Sequence, residues 1–277
     1  MVHKKITIKM PASVPPAVSD SFTALFPGFF CLLLVWVIRM GVSFTPIETI
    51  PNLMQFIFKP LSVVGTSLPG ALICEFLVSF LWIFGFHGAN VVSGVMTAIW
   101  LAAMQQNAVA FAAHKALPNI VTQQFFDNFV HIGGSGATLG LAIMMIMFAK
   151  SDEYKTLAKL EIAPAFFNIN EPLVFGFPVV MNPFIAVPFI VAPLLNVLIT
   201  YFAMASGIVA KTIGIMVPWT TPAIISGYLA TGHISGAVLQ AVLIAVDSLV
   251  YVYFFKKADK RKVQAQMANA KKAETQA

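Results

Sequence analysis

Long apolar runs almost empty of charge dictate what this chain can become. Phe22–Ile38, Leu68–Phe86, Val91–Ala113 and the stretch from His233 to Phe255 approach or exceed the roughly 20 residues that carry a helix across about 30 Å of hydrocarbon. Lipid offers backbone amides and carbonyls no partners, so a crossing segment must close its hydrogen bonds internally. Composition agrees: 58% of the residues are hydrophobic and 10% charged, whereas a soluble domain carries about 25% charged residues. The predicted fold class is all-α: a polytopic membrane protein with transmembrane helices, re-entrant hairpins and interfacial helices.

The net charge of +6 is concentrated at the two ends and in one central block. Such a distribution reports topology, not affinity for nucleic acid, and places both termini and the Lys150–Lys159 block in the cytoplasm. Cys31 and Cys74 lie in apolar segments without the spacing of a disulfide framework or metal site. No ligand set at zinc spacing and no nucleophile–base grouping is present in the sequence, so neither a metal, a cofactor nor a self-contained catalytic centre is predicted.

Four regions follow in order. Residues 1–21 form a cytoplasmic basic segment in which Lys4-Lys5-Ile6-Thr7-Ile8-Lys9 alternates like a short exposed strand. Residues 22–65 hold the first span, ended by Arg39 and Gly41, and over Asn52–Val64 a segment too short to cross, an interfacial helix or part of a hairpin. Residues 66–255 hold the remaining spans and several shorter arms. Leu173–Ala205 carries prolines at 178, 183, 188 and 193, so a short arm followed by a span is expected there and not one straight helix. Residues 256–277 are rich in Lys, Ala and Gln without apolar periodicity, the pattern of a disordered or frayed helical cytoplasmic tail.

Against this background Asn168-Ile169-Asn170-Glu171-Pro172 stands out. A bare carboxylate in hydrocarbon costs several kcal/mol, so an acid between membrane segments normally faces a polar cavity. Pro172 donates no backbone hydrogen bond and restricts Glu171, which predicts a break between two helical pieces. The stretch is either a loop outside the bilayer or the lining of a chamber at the tip of a re-entrant element.

Other candidates are weaker taken singly. His87, flanked by Gly85, Gly88 and Asn90, suits a hydroxyl-rich ligand because imidazole both donates and accepts near neutral pH. It reads equally as a packed histidine. His114, His131 and His233 lack such a setting and read as loop or boundary residues. Gly133-Gly134-Ser135-Gly136 lacks the Lys-Ser/Thr pair of a phosphate loop and instead suggests close backbone packing. Trp219, between Pro218 and Pro222, is either an interfacial belt residue or a flat face for a sugar ring. Trp82 reads as packing or as a second such face.

Taken together, Val14-Pro15-Pro16-Ala17-Val18, Phe86-His87-Gly88, Gly133–Leu139 and Asn168–Pro172 resemble the lactose/cellobiose/diacetylchitobiose family of IIC permeases, membrane components of the phosphoenolpyruvate-dependent sugar phosphotransferase system. The resemblance implies a multi-pass protein of the bacterial inner membrane, embedded in lipid and homodimeric when complete. In it a sugar-binding transport domain, here 66–255, moves against a dimerisation domain whose end would be 22–65. It also implies that a cytoplasmic IIB partner, served by IIA, phosphorylates the bound sugar at its 6-hydroxyl from a phosphocysteine, so no catalytic residue is assigned to this chain itself. His87 and Glu171 would hold the sugar, Trp219 would stack on it, and Asn170 and Trp82 complete the predicted substrate-binding set. Members of the family are usually longer, and this chain would begin just before their fifth span. Two other readings of Glu171 remain: a proton-carrying residue of a secondary transporter, or part of a truncated, non-transporting membrane subunit.

Overall fold

The computed structural model describes residues 16–46, 48–49, 64–177 and 179–276. The strand expected at Lys4–Lys9 and all but the last residue of the interfacial helix or hairpin segment expected at Asn52–Val64 lie outside the described residues. The chain forms two compact units, Met1–Leu61 and Ser62–Ala277. The first contains α1 (Pro16–Ser43), with Pro27 inside it. Its Leu32 and Trp36 are exposed, as apolar side chains of a helix in lipid are.

The second unit contains α2 (Leu68–Ile83), α3 (Gly88–Ala112), α4 (Gln123–Phe125) running into a π-helical turn (Phe126–Val130), α5 (Leu139–Phe148), α6 (Asp152–Phe166), α7 (Glu171–Gly176), α8 (Pro183–Ala205), α9 (Ile225–Thr231) and α10 (Ile234–Gln276). All regular structure among the described residues is helical. Three of these helices, α3, α8 and α10, are long and apolar enough to cross a membrane. α2 and α5 have 16 and 10 residues. Lengths below about 17 residues fit arms that enter the bilayer better than full crossings, which corrects the reading of Leu68–Phe86 as a complete span.

Proline and polar residues set the element ends as expected. Pro183 occupies the first turn of α8, where a missing N–H is harmless, and Asn182 caps it by accepting from the Phe184 and Ile185 amides. Pro188 and Pro193 lie within α8, so the proline-rich stretch is a short arm, α7, followed by a span. Ser151 caps α6, and Asp152 and Glu153 in its first turn complement the helix dipole.

Packing places irregular backbone in the core of the second unit. The π turn lies against α8, α9 and α4, while α10 packs on α5, α8 and α9. Val121, Phe125, Phe129, Val130, Ile132 and Ala137 are all essentially inaccessible. Buried carbonyls and amides outside helices must find partners or cost about 1–3 kcal/mol each, and the three long helices supply them from polar residues on their inner faces. Asn107 of α3 donates to the Asn119 and Thr212 carbonyls, each at 2.8 Å, and accepts from the Asn119 amide. Asn196 of α8 donates to the Val130 carbonyl at 3.4 Å. From α10, Gln240 donates to the Asn128 carbonyl and accepts from the Ile224 and Gly227 amides, while the Tyr251 hydroxyl donates to the Gly136 carbonyl at 2.6 Å.

The C-terminal segment differs from its sequence reading. Instead of fraying after Phe255, α10 continues as one helix to Gln276. Its aqueous part is anchored: the Asp259 carboxylate accepts from the Lys150 and Ser151 amides at 2.9 Å each, and Lys262 pairs with Glu153 at 2.7 Å. The two charge-rich regions assigned to one side of the membrane therefore meet.

Candidate functional site

Nonhelical backbone gathers around one cavity of about 520 Å³. Every predicted site residue, Trp82, His87, Asn170, Glu171 and Trp219, lines it. Trp82 comes from the last turn of α2, His87 from the N-cap of α3, Asn170 and Glu171 from the start of α7, and Trp219 from the loop before α9, and the local sequence explains how.

His87 is the N-cap of α3, and its Nδ1 accepts the Asn90 amide hydrogen at 3.3 Å. A nitrogen that accepts carries no proton, so the neutral ring bears its hydrogen on Nε2. That atom points at Glu171, 3.9 Å from Oε1. Gly88 makes the placement possible, since a Cβ there would overlap the Val78 carbonyl of α2. The imidazole also lies against Trp82, ring centroids 4.6 Å apart. Trp82 itself is 3% exposed, and its indole N–H has no acceptor among the described residues.

Glu171 opens α7, with Pro172 in the first turn. The break predicted by the proline thus falls on 167–170, between α6 and α7. Asn168 adopts a left-handed backbone, φ 61°, and its amide ties three loops together. It accepts from the Gly133 amide at 2.7 Å and donates to the Trp219 and Thr221 carbonyls at 2.5 and 3.3 Å. Asn170 donates both amide hydrogens inward, to the Ser135 carbonyl at 2.7 Å and Thr138 Oγ1 at 2.9 Å. It therefore builds the wall of the cavity, and only its carbonyl oxygen is left to face a ligand. The glycine run matches this role: Gly134 has φ +93° and a Cβ there would collide with the Asn170 amide. Trp219, held through its carbonyl by Asn168, leaves its ring 54% exposed.

Sequence reasoning missed a further part of the wall. His131, read as a loop residue, lines the cavity with Nε2 2.7 Å from Glu75 Oε2. Glu75 is wholly buried in α2 and also accepts from Ser79. The signal was Glu75 itself, since an acid inside an apolar helix requires a partner. Asp127, flanked by Phe125-Phe126 and Phe129-Val130, also reaches the cavity and accepts from Gln123 Nε2 at 2.9 Å. Among the described residues no cluster of His, Cys, Asp and Glu is arranged to hold a metal ion.

Chemically, the cavity pairs aromatic faces with donors and acceptors in both signs. The His87–Glu171 separation is too long for a direct hydrogen bond, so both groups keep hydrogen-bonding capacity for a hydroxyl beside them. A hydroxyl placed there would accept from Nε2–H and donate to the carboxylate.

Comparison with known proteins agrees with this architecture. The family described as "Phosphotransferase system, EIIC" matches residues 1–193. The chain is 52% identical over 266 residues to the "Lichenan permease IIC component" of Bacillus subtilis (strain 168), covering 95% of this chain and 59% of that protein. It is 49% identical over 273 residues to the "PTS system cellobiose-specific EIIC component" of Geobacillus stearothermophilus, covering 97% and 60%. The crystal structure of the transporter ChbC, the IIC component from the N,N'-diacetylchitobiose-specific phosphotransferase system, superposes with a TM-score of 0.83 at 48% identity, over 96% of this chain and 62% of that one. The chain thus spans about three fifths of each relative's length.

Proposed function

The chain belongs to the phosphotransferase-system EIIC family, and from that premise we propose that it forms the sugar-binding part of a permease for a disaccharide such as cellobiose, diacetylchitobiose or lactose. The sugar is carried across the membrane and phosphorylated by a IIB partner charged through IIA. The permease works as a homodimer. The observation that supports this reading best is the meeting of His87, Glu171, Trp82 and Trp219 on one cavity, whose volume falls within the roughly 300–1,000 Å³ of small-molecule sites.

In this reading the hydroxyl to be phosphorylated sits between His87 and Glu171. Nε2–H of His87 donates to its oxygen and fixes its direction, and Glu171 accepts its hydrogen. The oxygen attacks phosphorus on the partner's phosphocysteine, the P–S bond breaks, and the hydroxyl proton leaves on the Glu171 side. Trp219, more than half exposed, offers the apolar face of its indole to a pyranose ring, and Trp82 closes the back of the chamber behind His87. The Asn170 carbonyl oxygen is the acceptor left for a further hydroxyl.

Equilibrium binding of cellobiose, diacetylchitobiose and lactose to the detergent-solubilised chain tests the assignment. His87→Ala and Glu171→Gln are each expected to weaken the preferred sugar by about 1–3 kcal/mol, the cost of leaving a buried polar partner unpaired. Wild-type affinity in both variants removes the pair from the site. Vesicle uptake separates this mechanism from proton symport: sugar phosphate that appears only with phosphorylated partner supports it, whereas unmodified sugar lost on adding an uncoupler replaces it.

A further inference from the structure

Where α10 leaves its apolar stretch, four cations crowd onto one side of the helix. Lys256, Lys257, Lys260 and Arg261 fall within about 140° of the helical wheel at 100° per residue, and all four are exposed. Three of them lie over aromatic rings that mark the same level on neighbouring helices. Lys256 is 5.6 Å from the Phe148 ring at the end of α5, and Lys257 and Arg261 are each 5.4 Å from the Phe184 ring at the start of α8. Arginine and lysine heads over aromatic faces at the end of a span are the expected dress of a membrane–water boundary.

Beside this collar, toward the C-terminal side of α10, is a cleft of about 210 Å³, separate from the sugar cavity and lined by Tyr154, Asn182, Phe184, Ile185, Arg261 and Lys262 among others. Lys262 is paired with Glu153 through both carboxylate oxygens, at 2.7 and 2.8 Å. Among the described residues Arg261 makes no ion pair, so its guanidinium, which lines the cleft, keeps donors for a ligand. The opposite wall is apolar, and it continues into the bilayer. Val187 and Val191 follow Phe184 at three- and seven-residue spacing on α8, and Leu249 precedes Tyr253 by one turn on α10; all four are exposed. These helices pack together, with the Phe184 and Phe254 rings 5.1 Å apart. A cationic cup at the boundary therefore opens onto an apolar track beneath it.

We propose that this cleft binds the phosphate headgroup of an anionic phospholipid, with its acyl chains along the α8–α10 track. Clusters of Lys and Arg directly beyond a span attract anionic lipid, each cation near the surface adding to the binding. Guanidinium matches a phosphate oxygen pair in geometry as well as in charge. The apolar track is what selects a lipid over a free phosphate, since the latter would leave that wall without a partner. The bound headgroup would tie α10 to the start of α8, and so steady the helix that supplies Gln240 and Tyr251 to the loops around the sugar cavity.

Native mass spectrometry of the full chain in neutral detergent, titrated with phosphatidylglycerol and phosphatidylcholine, tests this. The wild type is expected to retain phosphatidylglycerol in preference to phosphatidylcholine. Lys257→Gln with Arg261→Gln should cut that preference roughly tenfold or more, while Lys155→Gln with Lys159→Gln, removing equal charge from α6, should leave it intact. Thermal unfolding of both double variants checks that the fold is kept. An equal fall in both would mean diffuse attraction and overturn the cleft, as would equal affinity of the wild type for the two lipids. Displacement of phosphatidylglycerol by millimolar inorganic phosphate would reassign the cleft to free phosphate.

Discussion

Two histidine–carboxylate pairs each bring a histidine to the cavity, and they are built to different ends. His131 and Glu75 are closed at 2.7 Å, with side chains 18% and 0% exposed; His87 and Glu171 stand 3.9 Å apart, 41% and 49% exposed. The same residue types therefore carry different meanings. In the closed pair the strongest partners already hold each other, so the pair fastens the π turn and its glycine loop to α2. In the open pair the imidazole is oriented by the Asn90 amide and the carboxylate by the first turn of α7. Both side chains line the cavity and stay accessible from it. A polar pair held apart by its scaffold is free to be completed by a guest.

The largest effect that separates the two belongs to Glu75. Removing one member of a buried charged pair costs about 3–5 kcal/mol because the other is left without a counter-charge. Glu75→Ala is expected to fall toward that range in denaturation from mixed micelles. Glu75→Gln, which keeps an acceptor for the imidazole, should lose less. Glu171→Gln should change stability by no more than about 0.5 kcal/mol, as substitutions on accessible surface usually do, and act on sugar binding instead. If Glu75→Ala left stability intact and abolished binding, the closed pair would also be a ligand site and the contrast would collapse.

A smaller effect probes the aromatic side of the same cavity. Trp219 is exposed and Trp82 buried, so Trp219→Leu should weaken sugar binding by about 0.5–1.5 kcal/mol, the size of an aromatic contact beyond its area, with little change in stability. Trp82→Leu should instead lower stability, since a fully buried large side chain is lost. Isothermal titration and thermal unfolding on the two variants read these separately, and a reversal of the pattern would move the stacking surface to the back of the chamber.

The contrast also explains what the sequence could and could not reveal. Glu171, His87 and Trp219 were legible because each interrupts an apolar pattern beside a helix breaker, a local anomaly. The Glu75–His131 pair joins residues 56 positions apart, and nothing local says which histidine an isolated acid will find. Asn168 was visible in the motif, but its bonds to Gly133 and Trp219 span 35 and 51 positions. The tail misled for another reason. Lys, Ala and Gln are good helix formers even without an apolar stripe, and a helix that continues from a span avoids the cost of nucleation. Absence of periodicity therefore told nothing about its order once α10 had begun.

A third carboxylate sharpens the comparison through pH. Glu161 lies on the inner face of α6 with Tyr154, Leu157, Ala158 and Ala165, fully buried and, among the described residues, without a cationic partner. Burial pushes its carboxyl up to about 8; the Leu173 amide opposes the shift without closing a hydrogen bond, and the negative charge of Glu171 adds to it. The folded state therefore holds a proton between pH 4.5, the ordinary value, and about 8 that the unfolded chain has released. Stability is highest below that window and declines as pH rises through it, by up to about 1.4 kcal/mol per pH unit. Above it the loss levels off. Glu161→Gln, which cannot ionise, should flatten this decline, and Glu171→Gln should shallow it by removing the neighbouring charge. Unfolding midpoints measured from pH 5 to 9 read both slopes. Identical slopes in wild type and Glu161→Gln would show that the buried acid is charged when folded, and would place a compensating cation beside it that the contacts of α6 do not contain.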